Sequence, residues 1–456
     1  MFKSTKVDAL NGSIPKNILL FALPLMISSI LQLLYNAADI VVVGRFAGHE
    51  SLAAVGSTSS LINLIVNFFI GLSIGVNVII ARYIGAKDTK SCHRALHTSA
   101  TIAVVAGLVA AVIGLFVSRP ALELMDSPDD VIDKATLYLK IYFLGTPANV
   151  IYNFGSAVLR ANGDTTRPLV FLSLSGLVNV ILNLITVIFL DMGVAGVAIA
   201  TIVSQYLSAI LVVASLKKGA GPCVLQFSSM CFDKKEFLDI LKLGIPAAIQ
   251  SSLFSISNVI IQSGVNSFDD SMIVAGNAAA SNIEGFVYCL PNAVYHAVMT
   301  FISQNIGARK IDRVVPILKK GLIIAFIASF SAAMIVMAFD EPLLSIYSKD
   351  APAIEAGVVR LMIIIPTYFL CGLMEVASGA LRGIGYSLLP MITSVMGACV
   401  FRITWAFTVF EKWHTMVVLF ISYPISWILV LSANLIFFSV FFPKIKKKYA
   451  QELCTQ

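Results

Sequence analysis

Three carboxylates lie inside long apolar runs of the 456-residue sequence, at Asp39, Glu284 and Glu375. An ionised side chain is costly inside a bilayer, so carboxylates in such runs usually serve binding or proton transfer. A carboxylate can hold a proton or a cation and can exchange one for the other. These positions therefore predict reversible ion binding rather than covalent catalysis.

Asp39 ends a polar stripe whose members are four, three, one and three residues apart: Ser28, Gln32, Tyr35, Asn36 and Asp39. This spacing puts all of them on one face of a helix. Asp39 is either a carboxylate at the outer membrane interface or a titratable group facing a cavity. The apolar residues 40–43 continue past it, which favours the cavity.

Glu284 belongs to a second stripe, formed by Asn277, Ser281, Glu284 and Tyr288 at spacings of four, three and four. It lies near the middle of its apolar run, where a lone carboxylate would be protonated part of the time. The alternative is a neutral Glu that only hydrogen-bonds neighbouring helices. For Glu375, whose helical neighbours include Gly372 and Ser378, a structural and a functional role are equally open.

Uncharged polar residues follow the same helical spacing in other apolar runs. They are Ser175, Asn179, Asn183 and Thr186 in one run, and Ser251, Ser255, Asn258 and Gln262 in another. Each set alone fits hydrogen bonding between helices. Together with the carboxylate stripes, they fit a water-filled cavity better.

The elements that position these side chains must be membrane helices. Only 12% of the residues are charged, 58% are hydrophobic and the mean hydropathy is +0.89, whereas soluble domains average about 25% charged residues. This composition excludes a soluble globular enzyme, a disordered chain and a secreted disulfide scaffold. Apolar runs of about 20 residues span a bilayer as helices. Twelve are predicted, at 15–44, 52–80, 95–117, 132–158, 166–190, 193–216, 238–264, 274–303, 318–338, 357–380, 387–410 and 415–442.

The distribution of Lys and Arg predicts the orientation of these spans. Segments on the side of the N-terminus hold 23 of them and the opposite loops hold 5, which places both termini in the cytoplasm. We interpret the basic tail Lys444–Lys448 as a cytoplasmic segment that flanks the membrane and contacts lipid headgroups, so no nucleic-acid partner is expected. We expect a multi-pass protein of the bacterial plasma (inner) membrane.

An internal repeat with an offset of 222 residues divides the chain. Pro24 recurs as Pro246, and residues 84–86 (Ile-Gly-Ala) recur at 306–308. The predicted domains are an N-lobe at 1–216, a cytoplasmic linker at 217–237, a C-lobe at 238–442 and a basic tail at 443–456. Each lobe holds six spans, an even number, so a pseudo-twofold axis along the membrane normal should relate the lobes.

Several chemistries have no motif in this sequence. There is no GxxxxGK[ST] phosphate-binding loop, zinc motif, nucleophile elbow or paired-carboxylate constellation. We therefore expect no enzyme, no catalytic residues, no metal centre and no cofactor. Without a nucleotide-driven engine, the energy for transport would come from an ion gradient, which means secondary transport.

The sequence resembles the multidrug and toxic compound extrusion (MATE) family, in particular its DinF-like and MepA-like bacterial branches. The segments that carry the resemblance extend over nearly the whole chain. They are Tyr35–Asp39, Ala81–Ala86, Leu159–Asp164, Gly193–Gly196, Gln304–Ala308 and Gly379–Gly383, together with Pro24.

The resemblance implies two six-helix lobes and antiport of H⁺ or Na⁺ against organic cations. It identifies Asp39 as the coupling carboxylate, with Asn179 and Asn183 at the same N-lobe ion site. Asn36, which lies on the stripe of Asp39, is predicted as the fourth residue of that site. Many members have Asp where this chain has Asn183. Sodium-using members have acidic residues where this chain has Gln250 and Cys371, which weakens the case for a C-lobe sodium site, although Glu284 and Glu375 could substitute.

The remaining polar residues are predicted to line the substrate cavity. They are Gln32, Tyr35, Asn258, Gln262, Asn277, Ser281, Glu284, Tyr288 and Glu375. The expected partners are small organic cations, H⁺ or Na⁺ and membrane lipids, and the expected oligomeric state is a monomer. Two alternatives are a flippase for lipid-linked precursors, which should have more cationic residues in its cavity, and a membrane-embedded enzyme or scaffold.

Overall fold

The computed structural model describes residues 6–125, 127–219 and 223–454. Residues 1–5 and 126 of the predicted N-lobe, 220–222 of the predicted linker and 455–456 of the predicted tail lie outside the described residues. The described ranges are helical almost throughout and contain no strand. This is the expected outcome for a lipid-embedded chain, because a helix satisfies its backbone hydrogen bonds internally.

The first half of the chain forms six long helices. They are α1 (Ile14–Phe46), α2 (His49–Ala86), α3 (Thr89–Leu124), α4 (Asp129–Ala161), α5 (Thr166–Leu184) and α6 (Gly193–Lys217). A π-helical turn, Ile185–Phe189, extends α5. Asp191 and Gly193 then turn the chain with positive φ angles of 48° and 51°.

The second half repeats this order with more interruptions. It contains α7 (Lys234–Asn266), α8 (Ser271–Gly307), α9 (Val314–Ala338), the short α10 (Asp340–Leu344), α11 (Ala351–Ile364), α12 (Tyr368–Gly383), α13 (Leu388–Ser394), α14 (Phe401–Trp405) and α15 (Met416–Cys454). A 3₁₀ turn joins α11 to α12, and π-helical segments continue α13 and α14. The described part of the predicted tail, 443–454, continues α15 as a helix.

The α11–α12 pair forms one span, Ala351–Gly383, and the α13–α14 pair forms another, Leu388–Phe410. The described chain therefore contains the twelve predicted membrane spans, and the protein is an all-α, multi-pass membrane protein. Eleven of these spans are long enough and apolar enough to cross a membrane, judged by length and composition alone. The twelfth is α4, which is 33 residues long but less apolar. It packs against α2, α3 and α6, so much of its surface faces protein, where polar groups are tolerated better than in lipid.

The helix boundaries repeat with the offset seen in the sequence. The helix α4 begins at Asp129 and ends at Ala161, and the α11–α12 pair begins at Ala351 and ends at Gly383, a shift of 222 at both ends. The carboxylates do not follow this repeat, because Ile261 corresponds to Asp39 and Ile62 to Glu284. Each half therefore carries its own set of polar groups.

The chain forms two compact units. Unit 1 comprises 1–7 and 27–248, and unit 2 comprises 8–26 and 249–456. Their limits differ from the predicted lobes within α1 and α7. The first part of α1, up to Met26, belongs to unit 2, where Phe21 packs edge-on against Phe301 with ring centroids 5.4 Å apart. The first part of α7, up to Ala248, belongs to unit 1.

Small residues set the packing of α7 against α2 within unit 1. A Cβ atom on Gly75 would lie 2.2 Å from the Ile240 carbonyl oxygen, and one on Gly244 would lie 2.6 Å from the Leu72 carbonyl oxygen. The two backbones therefore approach as closely as glycine permits, as at other small-residue helix contacts in membranes.

We expect Gly75→Ala to destabilise the folded protein, by about 1–3 kcal/mol as for other overpacked sites, because the obstructing atom is backbone and cannot rotate away. The measurement is the melting temperature of the purified protein in detergent. Gly56→Ala is the matched control, because Gly56 lies in the same helix with open space around it. Equal melting temperatures for the two variants would contradict this account of the α2–α7 contact.

Candidate functional site

Asp39 lies in unit 1 beside the polar stripe of α5. The Asn183 Nδ2 atom donates a hydrogen bond of 2.5 Å to Asp39 Oδ1, and it lies 3.4 Å from Asn179 Oδ1. Asn179 Nδ2 in turn lies 3.5 Å from Thr201 Oγ1 on α6. Asn183 is fully buried and Asn179 is nearly so, whereas Asp39 is half-buried. Three helices thus contribute to one polar cluster, which we call the Asp39 cluster (Asp39, Asn179, Asn183 and Thr201).

Close helix packing brings these groups together. The Tyr35 ring lies against Gly176, where a Cβ atom would come within 2.1 Å of the ring. The Tyr35 hydroxyl donates a hydrogen bond of 3.2 Å to the Ser173 carbonyl oxygen. Gly196 similarly lets α6 approach Thr186. Tyr35 therefore fixes α1 against α5, and the register of that contact places Asp39 opposite Asn183.

Oxygen atoms dominate the Asp39 cluster. Asn183 Oδ1 is buried and, among the described residues, has no hydrogen-bond partner. Burying a carbonyl oxygen without a hydrogen-bond donor is unfavourable. A bound proton donor could donate a hydrogen bond to this oxygen, and a hard cation could be coordinated by it. Asp39, Asn179 and Thr201 provide further oxygen atoms, which are the ligands that hard cations prefer.

Glu284 in unit 2 is not a lone carboxylate, because it pairs with Arg360 of α11. Arg360 Nε donates to Glu284 Oε1 at 2.7 Å and Arg360 Nη2 donates to Glu284 Oε2 at 2.8 Å. The Glu284 side chain is only 10% exposed and the Arg360 side chain only 7%. Arg360 also donates to Asn277 Oδ1, and Asn277 donates to Gln262 at 2.8 Å. The expectation of a lone Glu284 is wrong, because a buried guanidinium donates two hydrogen bonds to its carboxylate.

The remaining predicted cavity residues are distributed differently. Ser281 and Asn258 are exposed, as is Gln32 in unit 1, whereas Tyr288 and Glu375 are half-buried. Gln250 accepts a hydrogen bond of 2.7 Å from Arg382 Nη2, so an arginine partners the side chain at this position.

Arg402 is a further buried cation in unit 2, with 3% of its surface exposed. Its guanidinium lies 4.0 Å from the centre of the Tyr423 ring, and its Nε donates to Ser426 at 2.9 Å. The aromatic contact compensates part of the cost of burying the charge.

The structure brings Asp39, Asn179 and Asn183 together, and it connects Asn277 to Glu284 through Arg360. Asn36, the fourth predicted member of the ion site, is exposed and lies outside the Asp39 cluster. The sequence-based prediction did not include Thr201 or Arg360. Thr201 lies on α6, where Ser204, Gln205 and Ser208 follow it at spacings of three, four and seven residues and indicate a polar face. Arg360 had a clearer signal, since it is the charge inside the tenth span that could neutralise Glu284.

The comparisons with known proteins agree with this organisation. The MatE family model matches residues 24–185 and again residues 246–408, so the two matches begin 222 residues apart. The chain is 28% identical over 392 residues to "Probable multidrug resistance protein YoeA" of Bacillus subtilis, with 84% of each chain covered. It is 27% identical to "Probable multidrug resistance protein NorM" of Thermotoga maritima, with 86% of this chain and 85% of that protein covered.

The solved structures extend the comparison to the whole fold. The chain is similar to a MATE protein crystallised with MaL6, with a TM-score of 0.91, 22% identity and coverage of 98% of this chain and 100% of that one. It is also similar to an outward-facing multidrug resistance MATE family transporter of the MOP superfamily, with a TM-score of 0.90, 22% identity and the same coverage. The family matches cover most of the chain and both of its repeats, and the chain therefore belongs to the MatE family.

Proposed function

We propose that this protein is a secondary active multidrug exporter, which exchanges H⁺ or Na⁺ against organic cations by alternating access. The observation that carries the proposal is the Asp39 cluster, in which one carboxylate inside a membrane span contacts a buried amide. The names of the relatives from Bacillus subtilis and Thermotoga maritima support multidrug resistance as the physiological setting.

Coupling would follow from competition for one negative charge. A proton on Asp39 neutralises the carboxylate, and an arriving organic cation is attracted only to the ionised form. Exchange of one proton for one monovalent cation moves no net charge, so the membrane potential would not drive this step. The ion gradient, set against the substrate gradient, would determine the direction of transport.

We propose H⁺ as the preferred coupling ion. Asp39 is the only carboxylate of the Asp39 cluster, and Asn183 contributes a neutral amide where many family members carry a second acid. A single carboxylate suffices for a proton, whereas a sodium site gains from several hard oxygen ligands.

The proposal also covers the substrate path, the oligomeric state and the location of the protein. The exposed Gln32, Asn258 and Ser281 would line the substrate path, with Tyr288 and Glu375 beside it. The protein would act as a monomer in the bacterial inner membrane with both termini in the cytoplasm. No observation favours the lipid-precursor flippase, because the candidate cavity residues are neutral or acidic.

Dye export tests the proposed function directly. Expression in a bacterium that lacks its own drug exporters should raise tolerance to ethidium and accelerate ethidium efflux from preloaded cells. Dissipating the proton gradient should remove that acceleration. Unchanged tolerance and dye retention, with the protein verified in the membrane, would contradict the proposal.

We expect Asn183→Asp to shift the ion dependence from H⁺ towards Na⁺. The new carboxylate would lie within hydrogen-bonding distance of Asp39, and two adjacent negative charges attract a cation more strongly than one. The measurement is dye efflux in vesicles as a function of sodium concentration at constant pH. Asn153→Asp is the control, because the Asn153 amide donates its hydrogen bonds within α4, to Asn149. Sodium independence in Asn183→Asp would contradict this role for Asn183.

A further inference from the structure

Two buried cysteines face each other outside the Asp39 cluster. The Cys92 and Cys223 sulfur atoms lie 3.4 Å apart. Cys92 belongs to the first turns of α3, and Cys223 lies on the segment that links α6 to α7. Cys92 is fully buried and Cys223 is 5% exposed. A contact between two free thiols from elements so distant in sequence is not required by helix packing.

Neighbouring contacts fix the linker in the register that aligns the two sulfur atoms. The Gln226 backbone N–H donates to the His97 Nε2 atom at 3.1 Å. The Asp233 backbone N–H donates to Thr98 Oγ1 at 3.0 Å, and Arg94 pairs with the Asp233 carboxylate at 3.4 Å. The linker thus follows the beginning of α3 over several residues, all within unit 1.

We propose that Cys92 and Cys223 are a modification site, where a peroxide converts the thiol pair into a reversible disulfide that tethers the linker to α3. A disulfide bond is about 2.0 Å long, so a shift of about 1.4 Å would join the two sulfur atoms. Disulfides in reducing compartments are usually transient and redox-sensing, which suits a reversible tether.

The reaction balances with hydrogen peroxide as the oxidant. The Cys223 sulfur, which is the more exposed of the two, attacks one peroxide oxygen and forms a sulfenic acid, releasing one water molecule. The Cys92 sulfur then attacks the Cys223 sulfur, forms the S–S bond and displaces a second water molecule. Both sulfur atoms are oxidised, both thiol protons leave in water, and a dithiol reductant reverses the reaction.

The tether would restrain the segment that connects the two halves of the chain. This consequence rests on the proposed function, because it matters for export only if the linker moves during transport. Formation of the disulfide itself does not depend on that function, so the two parts can be tested separately.

The first test uses the full-length protein in native membranes. Membranes are treated with hydrogen peroxide, the free thiols are blocked with N-ethylmaleimide, and the protein is digested for mass spectrometry without reductant. We expect a linked peptide pair containing Cys92 and Cys223, which disappears after dithiothreitol. Cys231→Ser should retain the link, since Cys231 is a half-buried cysteine on the same linker, whereas Cys223→Ser should lose it. Absence of the link at peroxide doses that oxidise Cys231 would overturn the proposal. It would also be overturned if Cys231 formed disulfides with Cys92 or Cys223 as readily as these two cysteines do with each other.

The second test measures ethidium efflux before and after peroxide. We expect peroxide to slow efflux by the wild type, dithiothreitol to restore it, and Cys223→Ser to be insensitive to both. Equal peroxide sensitivity in the two proteins, or a complete cross-link that leaves efflux unchanged, would overturn the inference that the tether restrains transport. Absence of efflux from untreated wild-type cells would instead contradict the proposed function and leave the cross-linking result standing.

Discussion

Asp39→Asn is expected to reduce gradient-driven efflux to the level of cells that lack the protein. The substitution keeps the shape of the side chain but mimics only the protonated carboxyl, so no negative charge remains for which a proton and a substrate cation could compete. Removing a buried charge costs the fold little, so the variant should reach the membrane at wild-type abundance. The measurement is ethidium efflux from energised cells at matched protein levels.

Asp133→Asn is the matched control for this change. Asp133 is an exposed carboxylate that pairs with Arg119 at 2.9 Å, and surface pairs contribute about 0–1 kcal/mol. The control should therefore export dye at the wild-type rate. Wild-type export by Asp39→Asn would place the coupling carboxylate elsewhere. Glu375 would then be the next candidate, because Arg360 already pairs with Glu284.

Arg360→Met is expected to remove most of the folded protein from the membrane. It would leave the Glu284 carboxylate buried without the two hydrogen bonds that it accepts from the guanidinium. Breaking a buried ion pair from one side typically costs about 3–5 kcal/mol. The measurement is the amount of monodisperse protein extracted in detergent and its melting temperature.

A double variant separates this electrostatic cause from a loss of packing. Replacing both members of a buried pair by apolar residues is often neutral, so Glu284→Met in the Arg360→Met background should restore much of the abundance. A stable Arg360→Met protein would contradict the structural role of the pair. A double variant as unstable as the single one would attribute the defect to lost contacts such as that of Arg360 with the Phe420 ring.

The twelve spans could be predicted from the sequence because each span is dominated by its own apolar run. The repeat supported the count, because the same succession of six runs occurs in both halves. The helices extend further than predicted, as in α8, which begins at Ser271 rather than at residue 274 and ends at Gly307 rather than at residue 303. Polar residues at these ends reduce the hydropathy of the run without interrupting backbone hydrogen bonding. Hydropathy therefore located the membrane spans but not the full lengths of the helices.

The site was only partly predictable for a different reason. Helical spacing groups residues of one helix, as it did for Asn179 with Asn183. Contacts between helices depend on long side chains and on close backbone approach. Arg360 reaches Glu284 from 76 positions away in the sequence, and Tyr35 meets α5 only because residue 176 is glycine. Periodicity within one helix carries no information on such partners.

The most direct test of the account is transport by the purified protein in liposomes, with the membrane potential clamped at zero. A fluorescent organic cation is followed under an imposed pH gradient in sodium-free buffer, and separately under a sodium gradient at constant pH. We predict that the wild type moves the dye in response to the pH gradient and that Asp39→Asn does not. Equal gradient-driven rates for the two proteins, or wild-type transport that follows only the sodium gradient, would contradict proton coupling at Asp39.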